Sequence, residues 1–386
     1  MNAVTTARLT EPGPLDLLVL QPTPFCNINC SYCYLPDRRS RKQISSEVLD
    51  RVFDQVFTSG LVRQPFTVVW HAGEPLVLPP RFYEKAFALL AALNVNKVSV
   101  AHSFQTNATL IDDDWCQFIR AHDLRIGVSV DGPAFLHDRF RKTYSGQGTF
   151  ARVLEGMQRL REYKIPFHVI SVLTRASLDY PDELFDFYVG LGSDRVGFNV
   201  EEIEGPNTTS SLNAVDARPM LTRFLSRFYD LAERANPPIH VREFDSARAA
   251  LLAPPGVSPP PDQQNTPMAI VSVDCDGNFS TFSPELLGLP STHYDGFALG
   301  NILTDSLADA VKSPRLMAIE RDIRAGVERC KATCSYFNYC GGGAPVNKYF
   351  ENGSFDSSET MFCRMSRQAV VDVVLHKLER SPVGVQ

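Results

Sequence analysis

The stretch that decides the reading is Pro24-Phe25-Cys26-Asn27-Ile28-Asn29-Cys30-Ser31-Tyr32-Cys33-Tyr34-Leu35-Pro36. Its three cysteines, spaced Cys-x3-Cys-x2-Cys, come straight after the apolar run Leu15–Leu20, which reads as a first strand. Three thiolates on one loop suffice for three corners of a cube-shaped iron–sulfur cluster. The fourth iron then has no protein ligand and is open to a small molecule. The competing reading is a zinc knuckle, which needs a fourth Cys or His; His71 and His102 are candidates. Position favours the cluster, because a loop at the C-terminal end of a parallel strand opens on the functional face of such a sheet.

Outward from that loop the chain alternates. Helical spacing marks Ser45–Val56, Pro80–Leu93, Asp112–Ala121, Phe150–Glu162 and Tyr180–Leu191, with Ser45 or Ser46 as a first N-cap. Strand-like runs fall at Phe66–Trp70, Val98–Phe104, Leu124–Val130, Phe167–Leu173 and Arg195–Val200. Six βα units in series predict an α/β fold with a parallel sheet, open or closed into a barrel. After Val200 the rhythm breaks into the acidic, turn-rich stretch 201–213 and a helix at Ala217–Arg234. The stretch Ala253–Pro267 has six prolines in 15 residues and reads as a loop. Ala269–Asp274 and Asn278–Phe282 predict a hairpin around Cys275-Asp276-Gly277. Asp305–Ile323 reads as helix, Cys330–Cys363 as loop, and Ser366–Leu378 as a closing helix. The expected organisation is a flexible N-terminus at 1–14, a first domain at 15–235, and a second at 236–386 that includes the Pro-rich loop 253–267.

Composition excludes other classes. The 386 residues are 44% hydrophobic and 21% charged, so the chain is not disordered or collagen-like. A net charge of −6 offers nothing to a nucleic acid. No apolar run approaches the ~18–20 residues that span a bilayer, and no secretory signal is visible. The expectation is a cytoplasmic protein with no nucleic-acid or membrane partner. Seven of the nine cysteines then fall in two tight clusters, which in a reducing compartment read as metal or redox ligands.

Further motifs give the first cluster a family. His71-Ala72-Gly73-Glu74-Pro75 follows the second strand, Gln105-Thr106-Asn107 the third, and Ser129-Val130-Asp131-Gly132-Pro133 the fourth, with Arg141 a little beyond. With Cys26, Cys30 and Cys33 these resemble the radical S-adenosylmethionine (SAM) superfamily over about residues 15–235. Ala72 departs from that family's usual first glycine. The resemblance implies a partial (β/α)6 TIM-like barrel and a SAM-binding [4Fe–4S] cluster on Cys26, Cys30 and Cys33. It implies a SAM site at Tyr32, His71, Gly73, Glu74, Gln105, Asn107, Ser129, Asp131 and Arg141. Tyr32 would lie near the adenine, Glu74 at the methionine ammonium, and Arg141 with Ser129 at the carboxylate.

The second set, Cys330, Cys334, Cys340 and Cys363, suffices to close one [4Fe–4S] cluster, with zinc the rival on spacing alone. The region resembles the SPASM extension of peptide- and protein-modifying radical SAM enzymes. Full SPASM domains hold two auxiliary clusters, but Phe282 and Ala344 stand where two inner-cluster cysteines are usual. One auxiliary cluster is therefore expected, making two [4Fe–4S] clusters in all. Cys275 and Cys116 are expected to be a free thiol and a core residue. The blocks Phe198–Gly205, Phe282–Gly288, Gly341–Lys348 and Glu351–Ser354 resemble the cyclophane-forming maturases of the GrrM/OscB type, which pair with Gly-rich-repeat precursor peptides.

That subgroup implies hydrogen abstraction from a substrate Cβ by a 5′-deoxyadenosyl radical and attack of the carbon radical on an aromatic ring two residues earlier. Loss of an electron and a proton then leaves an aromatic-carbon to Cβ crosslink. A ribosomal precursor peptide and a reductant such as flavodoxin or ferredoxin are the implied partners. With no spare recognition domain, the leader peptide is expected to dock on the barrel, on the extension, or on a separate protein. The auxiliary cluster either accepts the electron or staples the segment. Glu201, Glu202 and Glu204 follow the sixth strand and Glu285 follows the hairpin, so Glu285 and Glu201 are the favoured bases, with water as another. The rival readings are anaerobic sulfatase (formylglycine) maturation and a non-enzymatic iron–sulfur electron carrier.

Overall fold

In the computed structural model, which describes residues 11–193, 195–254 and 262–380, the apolar runs become strands in chain order. These are β1 (Leu17–Leu20), β2 (Asn29–Cys30), β3 (Phe66–Trp70), β4 (Val100–Thr106), β5 (Arg125–Ser129) and β6 (Arg141–Lys142). They continue with β7 (Phe167–Leu173), β8 (Arg195–Val200), β9 (His240–Val241), β10 (Ile270–Val273), β11 (Asn278–Thr281) and β12 (Gly300–Asn301). The N-terminus expected to be flexible is outside the described residues through position 10, as are the middle of the Pro-rich loop and residues 381–386.

One ten-stranded sheet runs in the order β12-β11-β10-β1-β3-β4-β5-β7-β8-β9. Its inner strands β1, β3, β4, β5, β7 and β8 are parallel and are the six strands of the sequence reading. The two ends of the sheet do not pair, so it curves as an open, partial barrel. The sheet also crosses position 235: β10 pairs parallel with β1, Leu17 opposite Ile270, and β9 extends the far edge beside β8. Because all six inner strands run the same way, the loops after them gather at one rim.

Helices α1 (Ser46–Thr58), α2 (Pro80–Leu93), α3 (Asp113–Ala121), α4 (Ala134–Phe140), α5 (Phe150–Glu162), α6 (Pro181–Leu191), α7 (Ala217–Arg234) and α8 (Arg242–Leu251) follow. Most lie over the sheet by an apolar stripe. In α1, Ser45 accepts from the Val48 N–H at the start, and Val48, Leu49, Val52, Phe53 and Val56 form the buried face. Trp70, Tyr83, Phe104 and Trp115 interlock in the adjoining core. Cys116 is wholly buried in α3, as a small apolar side chain would be.

The C-terminal part is more helical than its sequence indicated. The helix expected at Asp305–Ile323 divides into α9 (Leu307–Ala310) and α10 (Pro314–Thr333). Pro314 takes the first turn of α10, where its missing N–H costs nothing; inside one continuous helix it would break a hydrogen bond. The expected loop at Cys330–Cys363 is instead the end of α10 followed by α11 (Phe337–Cys340), α12 (Pro345–Asn352) and α13 (Met361–Cys363). A π-turn at Arg364–Gln368 then leads into α14 (Ala369–Arg380). Gly341 and Gly353 end α11 and α12 with left-handed backbone, as helix C-caps do. The α14 helix is tied to α7 by Lys377–Asp230 (2.7 Å) and Arg218–Asp372 (3.1 Å).

Phe282, at one of the two positions lacking an inner-cluster cysteine, is a core residue with 1% exposure, and Ala344 is likewise buried. Truncating Phe282 to Ala is expected to cost about 3–5 kcal/mol of stability through the cavity it leaves. Denaturant unfolding of the two proteins measures it; an unchanged midpoint would show that Phe282 is not part of the packed core.

Candidate active site

The cysteine loop is built as a closed unit at the rim. β2 pairs with β6, setting Cys30 opposite Arg141. The Cys26 N–H donates to the Arg38 carbonyl (3.0 Å), and the Arg38 guanidinium returns to the Cys30 carbonyl (3.0 Å). Two donors point at the sulfurs: Asn107 Nδ2 lies 3.8 Å from Cys26 Sγ, and Arg141 Nη1 lies 3.9 Å from Cys30 Sγ. Burial raises the thiol of Cys26, and pushes that of Cys30 up to about 11 against the pull of Arg141. Such thiols ionise when a metal centre binds them, releasing protons as it does so.

The turn after β3 packs on this loop. Ala72 and Gly73 have positive φ (63° and 118°), and a Cβ at Gly73 would lie 2.2 Å from the Thr23 carbonyl oxygen. Only glycine permits that approach. Ala72 therefore tolerates the left-handed turn where the family pattern has glycine, whereas Gly73 is sterically required. The Glu74 carboxylate, 1% exposed, accepts from the Leu76 N–H (3.0 Å), Thr106 Oγ1 (2.7 Å) and the Asn107 N–H (2.8 Å). Burial pushes it up to about 7 despite those bonds. With both oxygens occupied from inside the protein, Glu74 braces the rim. Oε1 takes two of these bonds and Oε2 one, so the carboxylate keeps an acceptor position for the methionine ammonium that the sequence implied, beside the irregular backbone of residues 71–73.

A second carboxylate organises the neighbouring strand ends. Asp131 receives a bidentate pair from Arg141 (2.8 and 3.0 Å), the Tyr32 hydroxyl, and the Val172 N–H (3.0 Å). Burial alone would raise Asp131, but the Arg141 charge and its hydrogen bonds hold it below the usual carboxylate range. Tyr32 and Arg141, implied as adenine and carboxylate contacts, are thus both anchored on Asp131. Gln105 Nε2 donates to Ser129 Oγ (3.0 Å), joining two more of the implied SAM residues. His71 Nε2 sits 3.3 Å from the Tyr34 hydroxyl, while its Nδ1 is buried without a protein partner. Burial lowers His71 to about 4, so its ring is neutral near pH 7 and that orphaned nitrogen is available to a ligand. His102, a candidate zinc ligand, is occupied by Trp70 Nε1 (3.3 Å) and stacks on Phe87 (4.0 Å).

The candidate bases separate. Glu201 accepts the Ser211 N–H (2.7 Å) and hydroxyl, closing its own loop, so it does not face the cavity as expected. Glu202 and Glu204 turn inward instead. Both accept from Asn347 Nδ2, at 2.7 and 3.2 Å, and they share a hydrogen bond with each other. Burial pushes Glu202 up to about 7; burial together with the charges of Glu202 and Glu285 raises Glu204. Glu285 joins this group, raised by burial while the Ser283 hydroxyl donates to it. The Tyr34 hydroxyl is raised by burial and then by Glu285, Cys33 and Glu204, which places it between the cysteine loop and the carboxylates. Gly205, at φ 54°, makes that approach possible, since a Cβ there would lie 2.2 Å from the Tyr34 carbonyl. The sequence reading did not assign Tyr34 or Asn347. Their signals were adjacency to the third cysteine and the Pro345 that starts α12.

Cys330, Cys334, Cys340 and Cys363 line one cavity of about 340 Å³. Burial raises Cys340 and Cys363; the charges of Cys334 and Cys330 raise Cys340 further, and those of Glu359 and then Cys340 raise Cys363. The donor set, four thiols around one space, fits a four-iron cluster. Among the described residues no three Cys, His, Asp or Glu side chains converge on a single-ion site. Cys275 lies apart, in the hairpin turn.

Comparison with known proteins finds relatives over nearly the whole chain. The Radical SAM superfamily profile matches residues 20–188. The uncharacterized protein sll1766 of Synechocystis sp. is 42% identical over 384 residues, covering 98% of this chain and 96% of that protein. A serine-type anaerobic sulfatase-maturating enzyme of Bacteroides thetaiotaomicron is 30% identical over 194 residues, 49% of this chain and 46% of that enzyme. Among solved structures, native anSMEcpe with bound AdoMet and Cp18Cys peptide aligns with a TM-score of 0.76 at 22% identity, covering 94% of this chain and 97% of that one. Streptococcus suis SuiB bound to its precursor peptide SuiA aligns at 0.64 and 18%, covering 90% and 76%. Residues 20–188 are thus similar to the Radical SAM superfamily. About half of the chain is also similar to anaerobic sulfatase-maturating enzymes, and the Radical SAM family implies a [4Fe–4S] cluster and SAM. No helix among the described residues is long and apolar enough to cross a membrane.

Replacing Glu74 with Ala strands the N–H groups of Leu76 and Asn107, each at a cost of about 1–3 kcal/mol. The expected result is a lower urea midpoint and weaker SAM binding by calorimetry, with Glu74→Gln less affected on both counts. Equal affinity for SAM in a folded Glu74→Ala protein would contradict the bracing role.

Proposed function

We propose that this chain matures a ribosomally made precursor peptide by joining an aromatic ring carbon to a Cβ two residues further on. The observation that carries this reading is the buried carboxylate group Glu202, Glu204 and Glu285. It stands where the barrel rim, the hairpin and α12 meet, beside Tyr34 of the cysteine loop. The resemblance of the surrounding blocks to cyclophane-forming maturases supports the same reading. So does the likeness to proteins solved with peptides bound.

The cluster on Cys26, Cys30 and Cys33, together with SAM, would supply a 5′-deoxyadenosyl radical. The chain's own residues then have three tasks. The backbone of residues 71–73, the His71 Nδ1 and the Gln105–Ser129 pair line the rim where SAM would be held. The apolar barrel interior and the C-terminal helices keep water away from a reactive carbon, so that positioning sets selectivity. Glu202 and Glu204 take the proton lost when the substituted ring regains aromaticity. Two buried carboxyls sharing a hydrogen bond retain a proton to higher pH than one exposed carboxylate and titrate as a pair. The electron lost with that proton needs a separate acceptor, and a redox group in the four-cysteine cavity is one candidate. Formylglycine formation remains the alternative within the same family, and it too removes two hydrogens from a peptide.

The test is anaerobic incubation with SAM, dithionite and a peptide carrying aromatic-x-x units. A product lighter by two hydrogens, with no backbone fragments inside one aromatic-x-x unit, is expected; continuous fragmentation through that unit would overturn the crosslink. No 5′-deoxyadenosine with or without peptide would favour the electron-carrier reading. The pH dependence has a definite sign. The base must be ionised, and burial raises its pKa to about 7, so crosslink formed per 5′-deoxyadenosine rises as pH passes upward through about 7. Glu202→Gln should lower that ratio and flatten the profile, while Glu201→Gln leaves both close to wild type. Identical profiles for Glu202→Gln and wild type would remove the pair from the mechanism.

A further inference from the structure

The cavity lined by Cys330, Cys334, Cys340 and Cys363 carries a charge pattern that the cysteines do not require. Lys348 lines it while only 3% exposed. Among the described residues no carboxylate lies within ion-pair distance of its ammonium; Asp356, which feels its charge, pairs with Arg329 at 2.6 Å. A lysine buried this way without a partner is costly unless an anion is provided.

Three further features place that charge against the cavity. Gly326 lies one helical turn before Cys330 on α10, and a Cβ there would come within 3.2 Å of Lys348 Nζ. The same Cβ would lie 2.1 Å from the Phe355 carbonyl oxygen and 2.9 Å from that of Ser357, so the missing side chain admits the 355–357 backbone together with the ammonium. Arg367 also lines the cavity, with a buried Nε that has no hydrogen-bond partner. It follows Cys363 within the π-turn, a local widening of the helix that recurs at functional sites. The cavity's one lining carboxylate, Glu359, is engaged by Gln368 (2.8 Å) and Arg364 (3.5 Å). At the first cluster loop, by contrast, Arg141 is neutralised by its bidentate pair with Asp131.

We propose that Lys348, with Arg367, sets the redox balance of the group held by these four cysteines, biasing it toward its reduced state. Four thiolates and a four-iron core carry net negative charge, and reduction adds one more. A buried cation close by therefore favours the reduced form and raises the reduction potential. Lys348 and Arg367 are positioning charges rather than catalytic residues. The inference rests on the reading that the four cysteines hold a four-iron cluster, and its test is arranged so that the two can fail separately.

The experiment uses the full chain, reconstituted anaerobically, with iron and sulfide content and a redox titration followed by electron paramagnetic resonance. Wild type is expected to bind about eight irons, and Cys334→Ser about four. Wild type binding about four, unchanged in Cys334→Ser, would overturn the cluster reading itself. With about eight irons retained, Lys348→Gln is expected to reduce the equilibrium constant for one-electron reduction of the auxiliary cluster about tenfold, about 59 mV to lower potential. Lys348→Arg should restore the wild-type value, and the SAM-site cluster should not move. A loaded Lys348→Gln protein with an unshifted potential would overturn the inference alone. Loss of the second cluster from both Lys348→Gln and Arg367→Gln would overturn it as well, because the charges would then serve assembly rather than potential.

Discussion

The carboxylate of Asp131 holds the rim together. It gathers Arg141, the Tyr32 hydroxyl and the Val172 N–H, and so joins the ends of β5 and β7 to the loop that carries the cysteines. Arg141 extends the link to Cys30 by strand pairing and by its third guanidinium nitrogen, Nη1. A buried ion pair of this kind adds little net stability, but removing one partner leaves an unpaired charge at a cost of about 3–5 kcal/mol. What it contributes is geometry. A cysteine loop has no packing of its own strong enough to fix three sulfurs, and here the loop inherits its position from the sheet.

Two carboxylates that the resemblance assigns to the SAM site, Glu74 and Asp131, also act inside the protein. Each stands just beyond the C-terminal end of a strand, and each ties one strand end to the next. Beside them the rim offers less conspicuous atoms: backbone in an irregular turn, one imidazole nitrogen and the Gln105–Ser129 pair. The second site is arranged differently. Its thiols are assembled from α10, α11 and α13, and it is lined by Lys348 and Arg367, neither of which has a carboxylate within ion-pair distance among the described residues.

The alternating half of the chain was legible because strand and helix periods are local. Phe66–Trp70, Phe150–Glu162 and Arg195–Val200 occupy the spans their spacing predicts. Pairing across long distances was not. Nothing near Ile270 announces that it will lie beside Leu17, since parallel pairing has no turn to declare it. The C-terminal helices were missed because α11 and α13 are too short to show a period, although Pro345 and Gly353 bracket α12 in the manner of a helix start and stop. The choice between Glu201 and Glu202 was illegible for another reason. In a loop no alternation decides which side chain turns inward; here that follows from the close contact of Gly205 with Tyr34 and from Asn347, 145 residues beyond Glu202.

The pairing of β10 with β1 has a consequence for synthesis. β1 emerges among the first segments of the chain, and β3 covers one side of it early. Its other side waits for Ile270–Val273, after the entire barrel sequence has been made. Throughout that interval the nascent chain presents an apolar strand edge, the kind of surface that recruits other chains or chaperones. The C-terminal segment thus closes the sheet as well as holding cysteines, and a barrel released without it would carry a sticky edge beside the loop that must be loaded with iron and sulfide.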